Sequence, residues 1–165
     1  MNLQFTCKNG ETTYVETIHN IFVNTNSSID IVAHRIDLVF FKLYEKEFKS
    51  INKKKLPFRF LLSNAHIESC IPALKFVKSI CSNIQLRVTS NIHAKLIICD
   101  NSSILLGSAN FTGDSIGIGS EWSDSKHHWD KPNFEVGLFI VNQELSNQLT
   151  NIFNNHWEDS EVWNI

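Results

Sequence analysis

Three short runs of β-branched and aromatic residues, separated by stretches of helical periodicity, limit the possible folds of this chain more than any other feature. Residues 29–33, 58–62 and 84–88 have the length and composition of buried strands. Between the first two, apolar residues at 39, 40, 43, 44, 48 and 51 fit one amphipathic helix over 38–51. A second helical pattern covers 68–81, with Pro72 in its first turn, and an earlier one covers 16–25, where Ile18, Ile21 and Phe22 share a face. Beyond residue 88, segments 94–99, 104–107 and 134–141 read as strands and 144–157 as a terminal helix. The succession β-α-β-α-β, then strands, predicts an α/β or α+β fold: a mixed β-sheet flanked by helices on both faces. The sequence has no internal repeat and no low-complexity linker, so residues 1–165 are expected to form a single domain.

Composition narrows the function classes. A net charge of −2 does not single out a nucleic-acid binder, although a local basic groove is compatible with it. No apolar run approaches the roughly 20 residues that cross a bilayer. The N-terminus lacks the basic start and apolar core of a secretory signal, so a cytoplasmic protein without a membrane anchor is expected. Cys7, Cys70, Cys81 and Cys99 are scattered, which predicts reduced, buried thiols rather than a zinc site. No metal and no cofactor are expected.

The chemistry concentrates between residues 93 and 110. If the segment through His93 and Lys95 is extended, their side chains project to one face while Ala94, Leu96 and Ile98 point to the other. The turn-rich Asp100, Asn101 and Ser102 then allow 104–107 to return as an antiparallel partner, bringing Gly107, Ser108 and Asn110 back beside His93. Gly107 permits close backbone approach, and Ser108 and Asn110 add hydrogen-bonding groups for an anion. Such a set suits a phosphodiester. Lys95 and Asn110 can hold the non-bridging oxygens and stabilise charge in the transition state. His93 can attack phosphorus to give a covalent phosphohistidine, after which a second histidine must serve as acid and then base.

The same residues spell H-x-K-x4-D-x6-G-S-x-N, and the segment resembles the HKD signature of the phospholipase D superfamily at every fixed position. Six specified positions, each at roughly one in twenty, make a chance match in a chain of this length about one in 10⁵–10⁶. Asn133, Phe134, Glu135, Val136 and Gly137 resemble the strand that follows the signature, where an acidic residue typically orients the nucleophile; Glu135 matches that position. Asp100 belongs to the signature but, five residues beyond Lys95, is expected to bond turn backbone or a cation rather than phosphate.

The family's site uses two such motifs face to face, whereas this chain has one: the segments at His34, His66 and His127 lack the lysine and the Gly-Ser sequel. The resemblance to small single-motif nucleases therefore implies a homodimer with the active site at its twofold interface. It implies a metal-independent endonuclease acting on DNA or RNA. A phospholipase or cardiolipin hydrolase, and a nucleic-acid-binding module without turnover, are the alternatives. A partner protein that supplies targeting is also compatible with the mildly acidic balance.

Other features have plainer readings. Lys53, Lys54 and Lys55 read as a solvated helix end, with phosphate steering as the sharper alternative. Residues 113–131 read as a long functional loop, in which Trp122 and Trp129 can stack on bases or cover a dimer edge. His127 and His128 read as loop surface. His34 reads as a core or strand-end histidine, with a place lining the cleft as the alternative.

Overall fold

The run at 29–33 is buried along its whole length and lies in the middle of a single eight-stranded sheet. The computed structural model describes residues 1–5, 13–90, 92–118 and 134–164, the side chains of 3–5 excepted. In chain order the elements are β1 (Asn2–Phe5), α1 (Thr13–Asn24), β2 (Ile29–Ala33), α2 (Leu38–Leu43), α3 (Glu45–Lys54) and β3 (Phe58–Ser63). A 3-10 turn (Asn64–His66) leads into α4 (Ile67–Ile80), β4 (Ile84–Thr89), β5 (Leu96–Cys99) and β6 (Ser103–Gly107). Then come β7 (Val136–Val141), α5 (Gln143–Glu158) and β8 (Glu161–Val162).

The strand order is β1-β7-β6-β5-β2-β3-β4-β8. β2, β3 and β4 run parallel, and every other pairing is antiparallel. Strand alternation divides the side chains between two layers. Ile29, Ile31 and Ala33 of β2, with Phe58, Phe60 and Leu62 of β3, join the main core beneath α1 to α4. Val32, Leu61 and Ile98 face the opposite way, against Phe153 and Trp157 of α5. Helices thus cover both faces, as the fold class requires. The α5 face includes a half-buried ion pair: Arg59 meets Asp30 through two 2.7 Å hydrogen bonds and lies over the Phe153 ring at 4.7 Å.

Four local expectations change. The helix expected over 38–51 divides at Tyr44, whose φ of −102° and ψ of 25° leave the helical region. Tyr44 is buried, its hydroxyl donates to Val15 O at 3.1 Å, and its ring packs on Phe22 and Phe40. The bend lets both short helices bury their aromatic residues in one core. Pro72 falls in the second turn of α4, not the first, because the helix begins at Ile67. The extended segment at 94–99 enters the sheet only at Leu96. Edge strands β1 and β8 are additions, too short at four and two residues for a strand pattern to stand out.

Cys70, Cys81 and Cys99 are buried free thiols, and burial pushes Cys81 and Cys99 up to about 12. The lysine run closes α3, with Lys55 in the left-handed region at φ 56° and Lys54 Nζ donating to Thr25 O at 2.9 Å. That places it beside the N-terminal ends of β2 and β3. Cys7, Trp122, His127, His128, Trp129, Asn133 and residues 119–131 of the expected loop lie outside the described residues. Residues 113–117 form a turn.

Candidate active site

Strand direction decides where the signature residues meet. β5 and β7 begin, and β2, β3 and β6 end, at one edge of the sheet. His93 and Lys95 precede β5, Ser108 and Asn110 follow β6, and Glu135 precedes β7, so all five gather there. This is the carboxyl edge of the parallel strands, the usual place for a site in a sheet of this kind. His34 ends β2 at the same edge, and His66 closes the turn after β3.

The ladder fixes the register. Leu96 pairs with Leu106, Gly107 N donates to Lys95 O at 3.2 Å, and Gly107 lies opposite Gly137. Ser108 N donates to Val136 O at 2.9 Å, while Val136 N donates to Ser108 Oγ at 3.1 Å. Ser108 Oγ donates in turn to Glu135 Oε2. Further along, Phe111 N bonds Arg35 O at 3.2 Å and Asp37 N bonds Phe111 O at 3.1 Å. Asp37 also caps α2 through Phe40 N and accepts from Gly113 N, and burial raises its carboxyl above the ordinary range. The segment bearing Ser108 and Asn110 is therefore clamped at both ends, with Ala109 and Phe111 buried as anchors.

His93 is exposed, and Lys95 is buried with 7% of its surface in solvent. Lys95 Nζ lies 3.0 Å from His93 Nδ1 and 3.3 Å from Nε2. The ammonium holds His93 below its ordinary value of 6.5, with partial burial and the His34 ring acting in the same direction. The ring is thus kept neutral, the form in which a nitrogen can attack. Burial likewise lowers Lys95, and the charge of Glu135 opposes that shift. Asn110 Oδ1 is buried without a hydrogen-bond partner among the described residues. Exchanging the two positions of the amide would place an N–H donor there instead. In either case the carboxamide has bonding capacity left over, as expected where a partner arrives with substrate.

Three further residues, Tyr14, His34 and His66, adjoin the site, and of these the sequence offered only His34, as the alternative that lines the cleft. A Cβ on Gly107 would fall 2.2 Å from the Tyr14 hydroxyl and 2.6 Å from Val136 O, and one on Gly137 would fall 2.4 Å from the same hydroxyl. The space beside Gly107, expected to admit a ligand, is filled by Tyr14 of α1. Burial pushes this phenol up to about 12, helped by the charge of Glu135, so Tyr14 remains a neutral buttress under the β6–β7 pair. The His34 and His93 rings touch, with centroids 4.5 Å apart, and His66 stands edge-on to His34 at 4.8 Å. A histidine in the first position past a fully buried strand was the available signal for His34. Nothing local marked Tyr14 or His66.

Asp100 lies at the other end of β5. At about 3.3 Å per residue, five residues separate it from Lys95 by about 16 Å. Its carboxylate accepts from the backbone of Asn26, Ser27 and Ser28 and from Ser27 Oγ, at 2.7–3.2 Å. Burial works against the charge, but these hydrogen bonds prevail and hold the carboxyl below its ordinary range. Among the described residues, no group of three or more His, Cys, Asp or Glu is arranged to hold a metal ion.

The family model for the cardiolipin synthase, phospholipase D-like domain matches residues 20–157, from α1 through α5. The chain belongs to the phospholipase D-like family. No curated protein matches its sequence. Among solved structures, the phospholipase D family member Nuc from Salmonella typhimurium superposes with a TM-score of 0.76 at 19% identity, covering 99% of each chain. NucT from Helicobacter pylori gives 0.72 at 12% identity, over 98% of this chain and 100% of its own. Phosphatidylserine synthase from Haemophilus influenzae gives 0.71 at 13% identity, over 98% of this chain but 39% of the synthase. At these identities the likeness establishes the phospholipase D-like fold. No helix among the described residues is long and apolar enough to cross a membrane.

Proposed function

We propose that the protein is a metal-independent phosphodiesterase, an endonuclease of DNA or RNA, that works through a phosphohistidine on His93 in a site shared by two protomers. The observation that carries this reading is the pairing of a neutral, exposed imidazole with a buried ammonium 3.0 Å away, at the sheet edge where Ser108, Asn110 and Glu135 also converge. In the first step a ring nitrogen of His93 bonds to phosphorus as the P–O bond to the leaving group breaks. Lys95 and Asn110 stabilise the charge on the non-bridging oxygens. Ser108, tied to Glu135, stands at the same sheet edge, and Glu135 orients the His93 ring. Water then attacks phosphorus, the P–N bond breaks, and His93 is regenerated.

The leaving oxygen needs a proton from the side opposite the attack. The nucleophile sits about 3–3.5 Å from phosphorus at attack, and the acid about 2.6–3.2 Å from the leaving oxygen. The two nitrogens must then lie more than about 6 Å apart, with phosphate between them. His34 does not meet this requirement, because its ring already rests against that of His93. A second His93 across a twofold axis meets it when that ring is protonated while the first is neutral; it donates to the leaving oxygen and then takes the proton of the attacking water. Phe134 and Val136, 76% and 42% exposed on either side of Glu135, offer an apolar rim for such a contact.

Nucleic acid is favoured as substrate by the resemblance to small single-motif nucleases, with which the near end-to-end match to Nuc and NucT agrees, and by the likeness to TrmBL2, an archaeal chromatin protein described as binding DNA, at a TM-score of 0.62 over 55% of its chain. The family description and the phosphatidylserine synthase match favour a second reading, a phospholipase or cardiolipin hydrolase. Purified protein in EDTA should cleave single- or double-stranded DNA or RNA, and His93→Asn should not. Cleavage of phosphatidylcholine or cardiolipin alone would select the second reading. Binding without turnover on any of these substrates would leave a recognition module. Sedimentation should give a dimer; a fully active monomer would rule out the shared site.

A further inference from the structure

We propose that His34 is a positioning residue for the nucleophile, holding the chain before His93 through a hydrogen bond and the His93 ring through direct packing. The assignment rests on the reading of His93 as nucleophile. It begins where the sheet stops. The β2–β5 ladder ends with Val32 opposite Leu96, so the main chain from Ile92 to Lys95 has no ladder bond to β2. The next side chain out on β2 takes over: His34 Nδ1 lies 3.1 Å from Ile92 O. A carbonyl oxygen only accepts, so Nδ1 carries the hydrogen and the tautomer is fixed, leaving Nε2 as the open nitrogen.

The ring is fixed from two further directions. His66 meets it edge-on at 90°, and on its other contact it lies against His93 at an angle of 51°. His93 is itself exposed and needs such a neighbour. A free imidazole on an extended segment samples several rotamers, whereas a nucleophile must be held close to one geometry. His34 supplies a packed surface on one side of the ring, and Lys95 Nζ bounds it on another.

Other roles fit the observations less well. The three histidines are not arranged to bind a metal among the described residues. His34 is too close to His93 to protonate a leaving group opposite the attack, and it is half-buried at the site edge rather than enclosed in the core. The charged and titratable groups around His93 are Lys95 on its own segment and His34 from β2, with Glu135 acting on Lys95 and His66 touching His34.

Two variants separate positioning from mere filling of space. His34→Phe keeps a packed ring but removes the bond to Ile92 O. His34→Asn removes the ring but keeps an N–H donor in reach of that carbonyl. The His93 ring should be titrated by NMR in all three proteins, alongside kcat and KM on a cleaved substrate. In both variants the His93 midpoint should move up, because the His34 imidazole that helps to lower it is gone. For His34→Phe, kcat should fall roughly 10–100-fold with KM unchanged, and His34→Asn should recover part of that loss. An unchanged His93 midpoint in both variants, or a kcat that survives both, overturns the assignment. The NMR readout needs no turnover, so an inactive wild type would refute the phosphodiesterase reading while leaving the His34–His93 coupling measurable.

Discussion

The two ends of β5 carry two parts of one signature and are built in opposite ways. At the Asp100 end, a carboxylate is saturated by three backbone N–H groups and a hydroxyl, which pin the turn before β2. At the His93 end, a cation sits against a ring and lowers its affinity for a proton, a carboxamide oxygen is buried without a donor among the described residues, and the histidine faces solvent. A saturated site has little left to offer a ligand. An undersaturated one spends stability to keep its groups available. The signature is thus one motif in sequence and two in physics, with chemistry at one end and a structural staple at the other.

The contrast can be broken most severely at His93. His93→Asn should lower turnover by more than about 10⁴-fold while leaving the melting temperature unchanged, since the side chain is exposed. A large stability loss would show that His93 is structural. Lys95→Met should lower kcat by roughly 10²–10³-fold. It also has a pH consequence. With Lys95 present, His93 is held below 6.5, so the acid limb of kcat/KM should have its midpoint below that value. Removing the ammonium, the largest cause of that depression, should move the limb upward.

Gly107→Ala tests the buttress at the same end. Its Cβ would meet the Tyr14 hydroxyl and Val136 O, and overpacking of this kind costs about 1–3 kcal/mol. Adding Tyr14→Phe should recover only part of the loss, since the clash with Val136 O remains. Chemical denaturation of the single and double variants measures both.

Asp100→Asn should have the reverse profile of His93→Asn: a stability loss of roughly 1–3 kcal/mol from weakened hydrogen bonds, and unaltered kcat per folded molecule. The sign of its pH dependence follows from a folded carboxyl held below its ordinary value of 3.8. Its contribution is present above 3.8 and fades as pH falls through the lower folded value, so wild type and variant should converge in acid. A drop in kcat for Asp100→Asn would erase the distinction between the two ends.

Most of the fold was legible because its signals are local. The β-branched runs at 29–33, 58–62 and 84–88 are strands, and the helical periodicities between them are helices. The break at Tyr44 was not legible, because it depends on a hydroxyl reaching Val15 and on rings of two other helices. The signature marked His93, Lys95, Ser108 and Asn110, and the antiparallel return of β6 on β5 explained why they share an edge. It was silent about Tyr14 and His66, whose proximity to the site comes from packing between segments far apart in sequence. His34 lay between these cases: its place at a strand end was visible, but its contact with His93 depends on the antiparallel pairing of β2 with β5. Gly107 was marked for the right edge of the sheet, but its open side holds a phenol.

The most direct test of the central claim is to trap the enzyme during turnover in EDTA. The reaction should be quenched at alkaline pH, where phosphohistidine survives, and the peptide that contains His93 analysed by mass spectrometry. The account predicts a phosphoryl-linked adduct on His93 within the first turnover of wild type and none in His93→Asn. Rapid turnover in EDTA with no adduct at His93, or cleavage that persists in His93→Asn, would contradict it.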